Sequence, residues 1–441
     1  MAGVAGSSTA SKAALMRWLY SVVMWLLQPF LRRKLLRRAV AEPLYGTNIA
    51  ERFGDYSEQN IPAASRRDLV WVHAVSLGET RAAAALVQQL RAQLPGMRLL
   101  LTHGTATGRA QGQSLLQPGD VQVWQPWDTP GAVQRFLKHF QPRIGLLMET
   151  EVWPNWAAAC KAAGVPLCLV NGRLSEKSLL AAQRMGWLAK PAYRALAGVW
   201  AQSEDDATRF SLLGANVCGV MGNFKYDVMP DAAQWERGQQ WNKAVGKPVV
   251  MLASAREGEE QMLIEQLATF GSKIGADTVQ WLIVPRHPQR FDEVAQLWQK
   301  AGYAVSRRSQ WGDAPPTDQP TIWLGDSLGE MALYYGLADM ALLGGSFAPL
   351  GGQNLIEAAA CACPVVAGPH TFNFAEATET AVALGAALQC QDLQAALERV
   401  YERVQHPEKL RPMRAAALQW VGLHRGAAKR TVADLRATLL H

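Results

Sequence analysis

The sequence predicts an α/β protein built from two Rossmann-like, doubly wound domains, each a parallel sheet with helices on both faces. Three observations predict it. From residue 69 onward, short continuous runs of Val, Ile and Leu alternate with helical patterns, the mark of parallel strands buried on both faces. The alternation pauses in a polar, Trp- and Gly-containing stretch and then resumes. At 441 residues, half of them hydrophobic, the chain is long enough for two domains with sizeable cores.

Taken in order, residues 1–44 stand apart. They hold seven basic residues (Lys12, Arg17, Arg32, Arg33, Lys34, Arg37 and Arg38) against the single acid Glu42, almost all of the chain's net charge of +7. A nucleic-acid binder carries its basic stripe on its folded part, so this distribution speaks against nucleic acid and for a membrane address. Ala13–Leu31 is mostly apolar, close to the shortest length that spans a bilayer, and Trp18 and Trp25 suit an interface. No small-residue cleavage site follows, so an uncleaved anchor is expected rather than a removable signal. Whether it spans the bilayer or lies in its interface is open at this stage. Either way the run RRKLLRR places the bulk of the chain on the cytoplasmic side.

The first domain is expected over residues 45–230. Its strands are Leu69–Ala74, Arg98–Thr102, Val121–Pro126, Ile144–Met148, Pro166–Val170, Val199–Gln202 and Val217–Met221. Residues 231–247 read as a linker. The second domain, residues 248–441, has strands at Pro248–Ala253, Trp281–Pro285, Ala304–Ser306, Thr321–Leu324, Met340–Leu343 and Val365–Ala367. Six cysteines sit mainly in apolar runs without a CxxC pair, as small buried residues of a cytosolic protein do.

Ligands of such sheets bind at the carboxyl ends of the strands, and the chemistry-bearing residues gather there. Ser76-Leu77-Gly78-Glu79 opens the first helix of the first domain, and Ser327-Leu328-Gly329-Glu330 opens one in the second. Each matches a capping box, which is reason enough for Ser and Glu at that spacing. Glu79 nevertheless stands beside His73, Ser76 and Thr80, in a domain where Glu149 and Glu151 also end a strand. A carboxylate crowded by others has a raised pKa and serves as a base near neutrality. Lys225, in GNFKYD after the last strand of the first domain, is equally compatible with a solvated loop and with offsetting charge on a leaving phosphate.

In the second domain, Ser254 and Arg256 begin the first helix, and Arg286-His287, between prolines, form a clamp for phosphate or carboxylate. The stretch from Leu342 to Pro369 reads as strand, glycine-rich turn, helix from Asn354 and strand. On Gly344, Gly345, Gly351 and Gly352 alone, an anion cradle and a set of tight turns are equally good readings. Asn354 and Glu357 in an otherwise apolar helix favour a binding role, with Glu357 suited to a sugar hydroxyl. No D-x-D motif and no His/Asp cluster with metal spacing occurs, so a metal-free mechanism is expected.

Two doubly wound domains with a cleft between their carboxyl edges is the layout of the GT-B glycosyltransferases. The phrases SLGE, METEVWPN, LVNGRLSEKS, GNFKYD, PRHPQR, LGEMALYYGLAD and GGSFAPLGGQNLIEAAACACPVV, in this order, closely resemble the 3-deoxy-D-manno-octulosonic acid (Kdo) transferases of lipopolysaccharide synthesis. That resemblance covers nearly the whole chain. It implies an inverting GT-B enzyme that moves Kdo from the donor CMP-Kdo to an acylated lipid A precursor (lipid IVA) at the cytoplasmic face of the inner membrane, with no cofactor. It also implies that Glu79 is the general base, supported by Glu149 and Lys225. Ser254, Arg286, His287, Gly329, Glu330, Met331, Asn354, Leu355, Ile356 and Glu357 would bind the CMP part. Thr-His-Gly-Thr-Ala-Thr-Gly at 102–108 and Arg256 depart from the family's usual residues, which bears on the acceptor rather than the reaction.

Two other readings share the fold: a nucleotide-sugar epimerase of GT-B shape, which needs no anchor, and a membrane-tethered protein that holds a nucleotide without turnover.

Overall fold

The computed structural model of the chain describes residues 4–57, 59, 68–274, 278–317 and 322–439. They form two compact units, Met1–Val228 together with Arg425–His441, and Met229–His424.

The first unit is built on a seven-stranded parallel sheet. Its strands are β1 (Leu69–His73), β2 (Arg98–His103), β3 (Val121–Trp124), β4 (Ile144–Met148), β5 (Leu167–Gly172), β6 (Gly198–Ala201) and β7 (Val217–Val220). Their order is β3-β2-β1-β4-β5-β6-β7, so the winding direction reverses between β1 and β4. Alternate residues of a strand face opposite sides. Leu69 and Trp71 therefore enter a core with Phe136, Phe140 and Trp156, while Val70, Val72 and Ala74 enter another with Leu86, Leu90 and Leu101.

The second unit repeats the plan with β8 (Val249–Ala255), β9 (Gln280–Pro285), β10 (Val305–Arg307), β11 (Ile322–Leu324), β12 (Met340–Leu343), β13 (Val365–Ala367) and β14 (Ala387–Gln389). The order β10-β11-β9-β8-β12-β13-β14 puts its reversal between β8 and β12. The sequence reading omits β14, whose Ala387-Leu388-Gln389 lacks the branched apolar run that marks β13. Of its strand Thr321–Leu324, Thr321 lies outside the described residues.

Two expectations are corrected. Residues 231–247, read as a linker, belong to the second unit and carry a helix, Ala232–Val245, which Asp231 caps by accepting the Gln234 N–H at 2.9 Å. It packs on the helix Met331–Leu337 through Gly238 and Gly336, where any Cβ would overlap a facing backbone carbonyl. Trp235 and Trp241 donate their indole N–H groups to the Cys361 and Asp313 carbonyls. The second correction concerns the end of the chain, assigned to the second domain from sequence. The helix Ala427–Leu439 buries Ala428, Val432 and Leu435 in a core of the first sheet. The Asp227 carboxylate accepts the Gly426 and Ala428 N–H groups at its start, and Trp200 donates to Asp434. Its apolar stripe marks it as amphipathic but does not say which sheet it covers.

The N-terminal helix, Val4–Ala41, runs about 57 Å at 1.5 Å per residue. One side of it docks on the first unit. Ser21 Oγ donates to Asn155 Oδ1 at 3.1 Å, Tyr20 hydrogen-bonds Asp128, and Leu35 is buried with Tyr45 and Trp124. Its other side exposes Trp18, Trp25, Leu26 and Phe30, each more than 60 % accessible. Of the cysteines, 160, 168, 361 and 363 are buried as expected, whereas Cys218 is exposed on the edge strand β7.

Candidate active site

At the carboxyl edge of the first sheet, β1 leads into the helix Leu77–Gln93. The capping box is real: Ser76 Oγ accepts the Glu79 N–H at 3.3 Å and donates back to Glu79 Oε1 at 3.1 Å. Glu79 Oε2 accepts the Val75 N–H at 2.9 Å. Capping does not use up the carboxylate. Its partial burial pushes the pKa up to about 7, with further upward pressure from the charges of Glu149 and Glu151, and the Val75 and Ser76 bonds only partly offset this. Glu79 thus stands at the point where the sheet reverses direction, with a proton affinity suited to a base at neutral pH.

Glu149 ends β4 in a left-handed conformation, φ 57°. Lys225 Nζ lies 3.8 Å from its Oε1, so strand end and the 3₁₀ turn Phe224–Asp227 meet there. Burial raises the Glu151 carboxyl above its ordinary value. The other neighbours of Glu79 in sequence are structural. His73 is fully buried with Nδ1 on the Thr102 hydroxyl at 2.8 Å, and burial lowers its pKa to about 3. Thr80 donates its hydroxyl to the Ser76 carbonyl.

At the carboxyl edge of the second sheet, β8 ends in a bulge at Ser254, φ 55°. The Arg286 N–H donates to the Ala255 carbonyl at 2.9 Å, and Arg286 Nε donates to Gln353 Oε1 at 3.2 Å. A Cβ at Gly345 would meet both Gln353 and Arg256. Strand β8, strand β9 and the glycine-rich loop therefore bring Ser254, Arg256, Arg286 and Gln353 to one place. His287 Nε2 is 3.9 Å from Glu257, which also takes Arg256 at 2.9 Å. Burial and then Arg256 hold the His287 pKa below its ordinary value, leaving a neutral imidazole beside two guanidinium groups. The turn that follows, Pro288–Arg290, is braced by a bidentate pair, Arg290 to the buried Glu260, both at 3.0 Å.

Of the two readings of the glycine-rich loop, the structure supports the set of tight turns closed on an internal carboxylate. The Glu259 carboxylate, 1 % exposed, already accepts the N–H groups of Gly345, Phe347 and Ala348, and of Arg256. Gly344 and Gly352 donate to the Ala253 and Gly345 carbonyls. The loop is shaped by an internal anion, because an N–H left bare in a buried turn is costly. Beyond it, Asn354 Oδ1 accepts the Ile356 N–H at 3.0 Å, opening the short helix Leu355–Ala360. Leu355 and Ile356 point into the core, 1 % and 3 % exposed, so neither side chain is available to a nucleotide. Glu357 is half-buried near Tyr335.

The second Ser-Leu-Gly-Glu phrase is not a capping box. Gly329 is left-handed (φ 79°), the helix begins after it at Met331, and no side chain caps it. Ser327 donates to the Glu330 carboxylate, which Arg308 also holds at 2.9 Å. Glycine at that position lets the chain turn away before the helix starts.

Sequence reasoning missed Glu259, Gln353, Arg308 and Asn171. The first three look like ordinary polar residues of helix or loop starts. Asn171 carried a signal, since Asn followed by Gly at a strand end favours a left-handed residue.

Similarity to known proteins agrees with this architecture. Residues 47–228 match the family model described as 3-deoxy-D-manno-octulosonic-acid transferase (kdotransferase). A 3-deoxy-D-manno-octulosonic acid transferase of Bordetella pertussis is 49% identical over 372 residues, covering 82% of this chain and 86% of that protein. One from Haemophilus influenzae is 30% identical over 433 residues, covering 96% and 99%. Among solved structures, a UDP-GlcNAc 2-epimerase from Neisseria meningitidis aligns with TM-score 0.55 at 14% identity, over 84% of this chain and 100% of that one. A glycosyltransferase from Rickettsia africae aligns with TM-score 0.55 at 13% identity, over 85% and 99%. The last two speak for the GT-B-like fold alone. With the extent of the first two matches, the chain belongs to the Kdo transferase family and is a glycosyltransferase.

Proposed function

We propose that the chain transfers Kdo from CMP-Kdo to a hydroxyl of an acylated lipid A precursor, with inversion and without a metal, and that Glu79 is the general base. The observation that carries this reading is the Glu79 carboxyl, held at about 7 at the reversal point of the first sheet. The acceptor oxygen attacks the anomeric carbon from the face opposite CMP and yields its proton to Glu79. The bond to the phosphate oxygen breaks, and CMP leaves as a stable anion needing little acid help. Glu149 and Lys225 support the charge of the transition state. Ser254, Arg286 and His287 bind the phosphate side of the donor, and Gly329, Glu330, Met331, Asn354 and Glu357 the nucleoside. For Leu355 and Ile356 only the backbone is left for this role.

Incubation of the purified protein with CMP-Kdo and lipid IVA tests the reaction: CMP is expected only when acceptor is present, with a product heavier by Kdo. CMP release independent of acceptor, or conversion of the nucleotide sugar without a transfer product, would reject it. Arg286→Ala is expected to weaken CMP binding about 10–100-fold by calorimetry, since a charge-assisted contact contributes about 1.5–3 kcal/mol. Unchanged affinity would take the nucleotide away from β9.

The basic N-terminal segment supports a place at the cytoplasmic face of an inner membrane. Its docking favours a helix lying in the interface: Tyr20 and Ser21, midway along the apolar stretch, are engaged by Asp128 and Asn155 of the first unit. The exposed tryptophans then enter the lipid while the arginines meet anionic headgroups. Trp18→Glu, Trp25→Glu and Phe30→Glu combined are expected to abolish co-sedimentation with anionic vesicles and to leave CMP affinity intact. Full sedimentation of that variant would overturn the assignment. Substitution is cleaner than deleting residues 1–38, which would also remove Leu35 from the core.

A further inference from the structure

Strands β4 and β5 pair so that Met148 faces Val170, and Glu149, just past the end of β4, runs alongside Asn171 near the end of β5, donating its N–H to the Val170 carbonyl and accepting the Arg173 N–H. Both Glu149 and Asn171 are left-handed, φ 57° and 52°. Non-glycine residues persist there only where their surroundings impose it, and such positions cluster at functional sites. Each also carries a buried polar atom with no hydrogen-bond partner among the described residues, Glu149 Oε1 and Asn171 Nδ2.

The other atom of the Asn171 amide is engaged. Oδ1 accepts the Phe224 N–H at 3.0 Å, immediately before Lys225. Asn223 Oδ1 accepts the Lys225 N–H at 3.0 Å. Gln202 ties the two asparagines together, donating to the Asn171 carbonyl at 3.0 Å and accepting from Asn223 Nδ2 at 2.9 Å. With the Phe224 ring fully buried, the turn is fixed on its core side by packing and on its sheet side by these amides. Lys225 is the residue they leave at the edge, its Nζ 3.8 Å from Glu149.

We propose that Asn171 is a positioning residue for the transfer reaction: together with Asn223 it holds the Phe224–Asp227 turn so that Lys225 meets Glu149. Asparagine suits the place because it tolerates the left-handed conformation and offers an acceptor within reach of a neighbouring backbone N–H. The inference rests on the catalytic reading of Glu149 and Lys225 given above.

Asn171→Gly tests it, since glycine accepts the backbone conformation and removes only the amide. A displacement of about 1 Å in a catalytic group lowers rate by about 10²-fold, so kcat is expected to fall about 10–100-fold. The KM for CMP-Kdo and the affinity for CMP should stay at parental values. In a Lys225→Ala background the same substitution should lower kcat no further, whereas a general structural role would lower it by the same factor again. Parental kcat in Asn171→Gly, or a full additional loss beside Lys225→Ala, overturns the proposal. Should Asn171→Gly fail to fold, Asn223→Ala carries the same pair of measurements on the same turn, and parental kcat there overturns it equally. Lys225→Ala alone separates the two levels: if it retains kcat, the catalytic reading of Lys225 fails, and if it loses kcat while the asparagine variants do not, only the positioning inference fails.

Discussion

Glu79→Gln is expected to lose about two to four orders of magnitude in turnover while the protein remains folded and binds CMP with parental affinity. Gln serves in a capping box as well as Glu: its one carbonyl oxygen can accept the Val75 N–H, and the Ser76 hydroxyl can turn to accept from its amide N–H. What Gln cannot do is take a proton. Two pH profiles sharpen the prediction. The parent's kcat/KM should fall about tenfold per unit below pH 7, as the carboxylate that titrates at about 7 is protonated. Stability should move the other way. The folded pKa of Glu79 lies above its ordinary value of 4.5, so between pH 4.5 and 7 the folded state holds the proton more tightly than the unfolded chain. Stability from this group is therefore lost as pH rises through that window, and above pH 7 the buried charge costs its full amount. Gln carries no such charge. The variant should melt higher than the parent at pH 8 and level with it at pH 4. Near-parental turnover would confine Glu79 to its cap and move the search for the base to Glu149 and Glu151.

The largest expected effect on folding comes from Glu259→Ala. One buried carboxylate accepts four backbone N–H groups there: Arg256 at 2.9 Å, Gly345 at 2.6 Å, Phe347 at 3.1 Å and Ala348 at 3.3 Å. Each donor left bare costs about 1–3 kcal/mol. Even with partial relaxation, the sum is a large share of the roughly 5–15 kcal/mol that holds a domain folded. The second unit should lose its glycine-rich loop, and with it CMP binding, and its melting transition should drop steeply. Glu259→Gln, which keeps one acceptor oxygen but turns an amide N–H toward donors, should fall between. A melting temperature within a degree or two of the parent for the alanine variant would mean that the loop holds its shape without the carboxylate.

The sequence by itself determined the class of fold, most of its strands and the carboxyl-edge placement of the residues it singled out. Continuous Val/Ile/Leu runs are what strands covered on both faces require, and they recur in Leu69–His73 as in Met340–Leu343. A strand end followed by a helix start is a local event, so Glu79, Glu149, Ser254 and Arg286 could be placed on the carboxyl edges from their immediate neighbours. Three matters were decided only by tertiary structure. The glycines of the loop suited an external anion and tight turns equally, and Glu259, 86 residues before Gly345, accepts its N–H groups from within. The helix Ala427–Leu439 has an apolar stripe that fits any sheet face, and Asp227 and Trp200 select the first unit. Of the matching phrases at Ser76 and Ser327, the carboxylate of the second takes Arg308, 22 residues earlier, where that of the first takes the Val75 N–H. In each case the deciding partner is remote in sequence. Local patterns record which backbone groups and apolar faces need a partner, while the chain's path in space determines which residue meets that need.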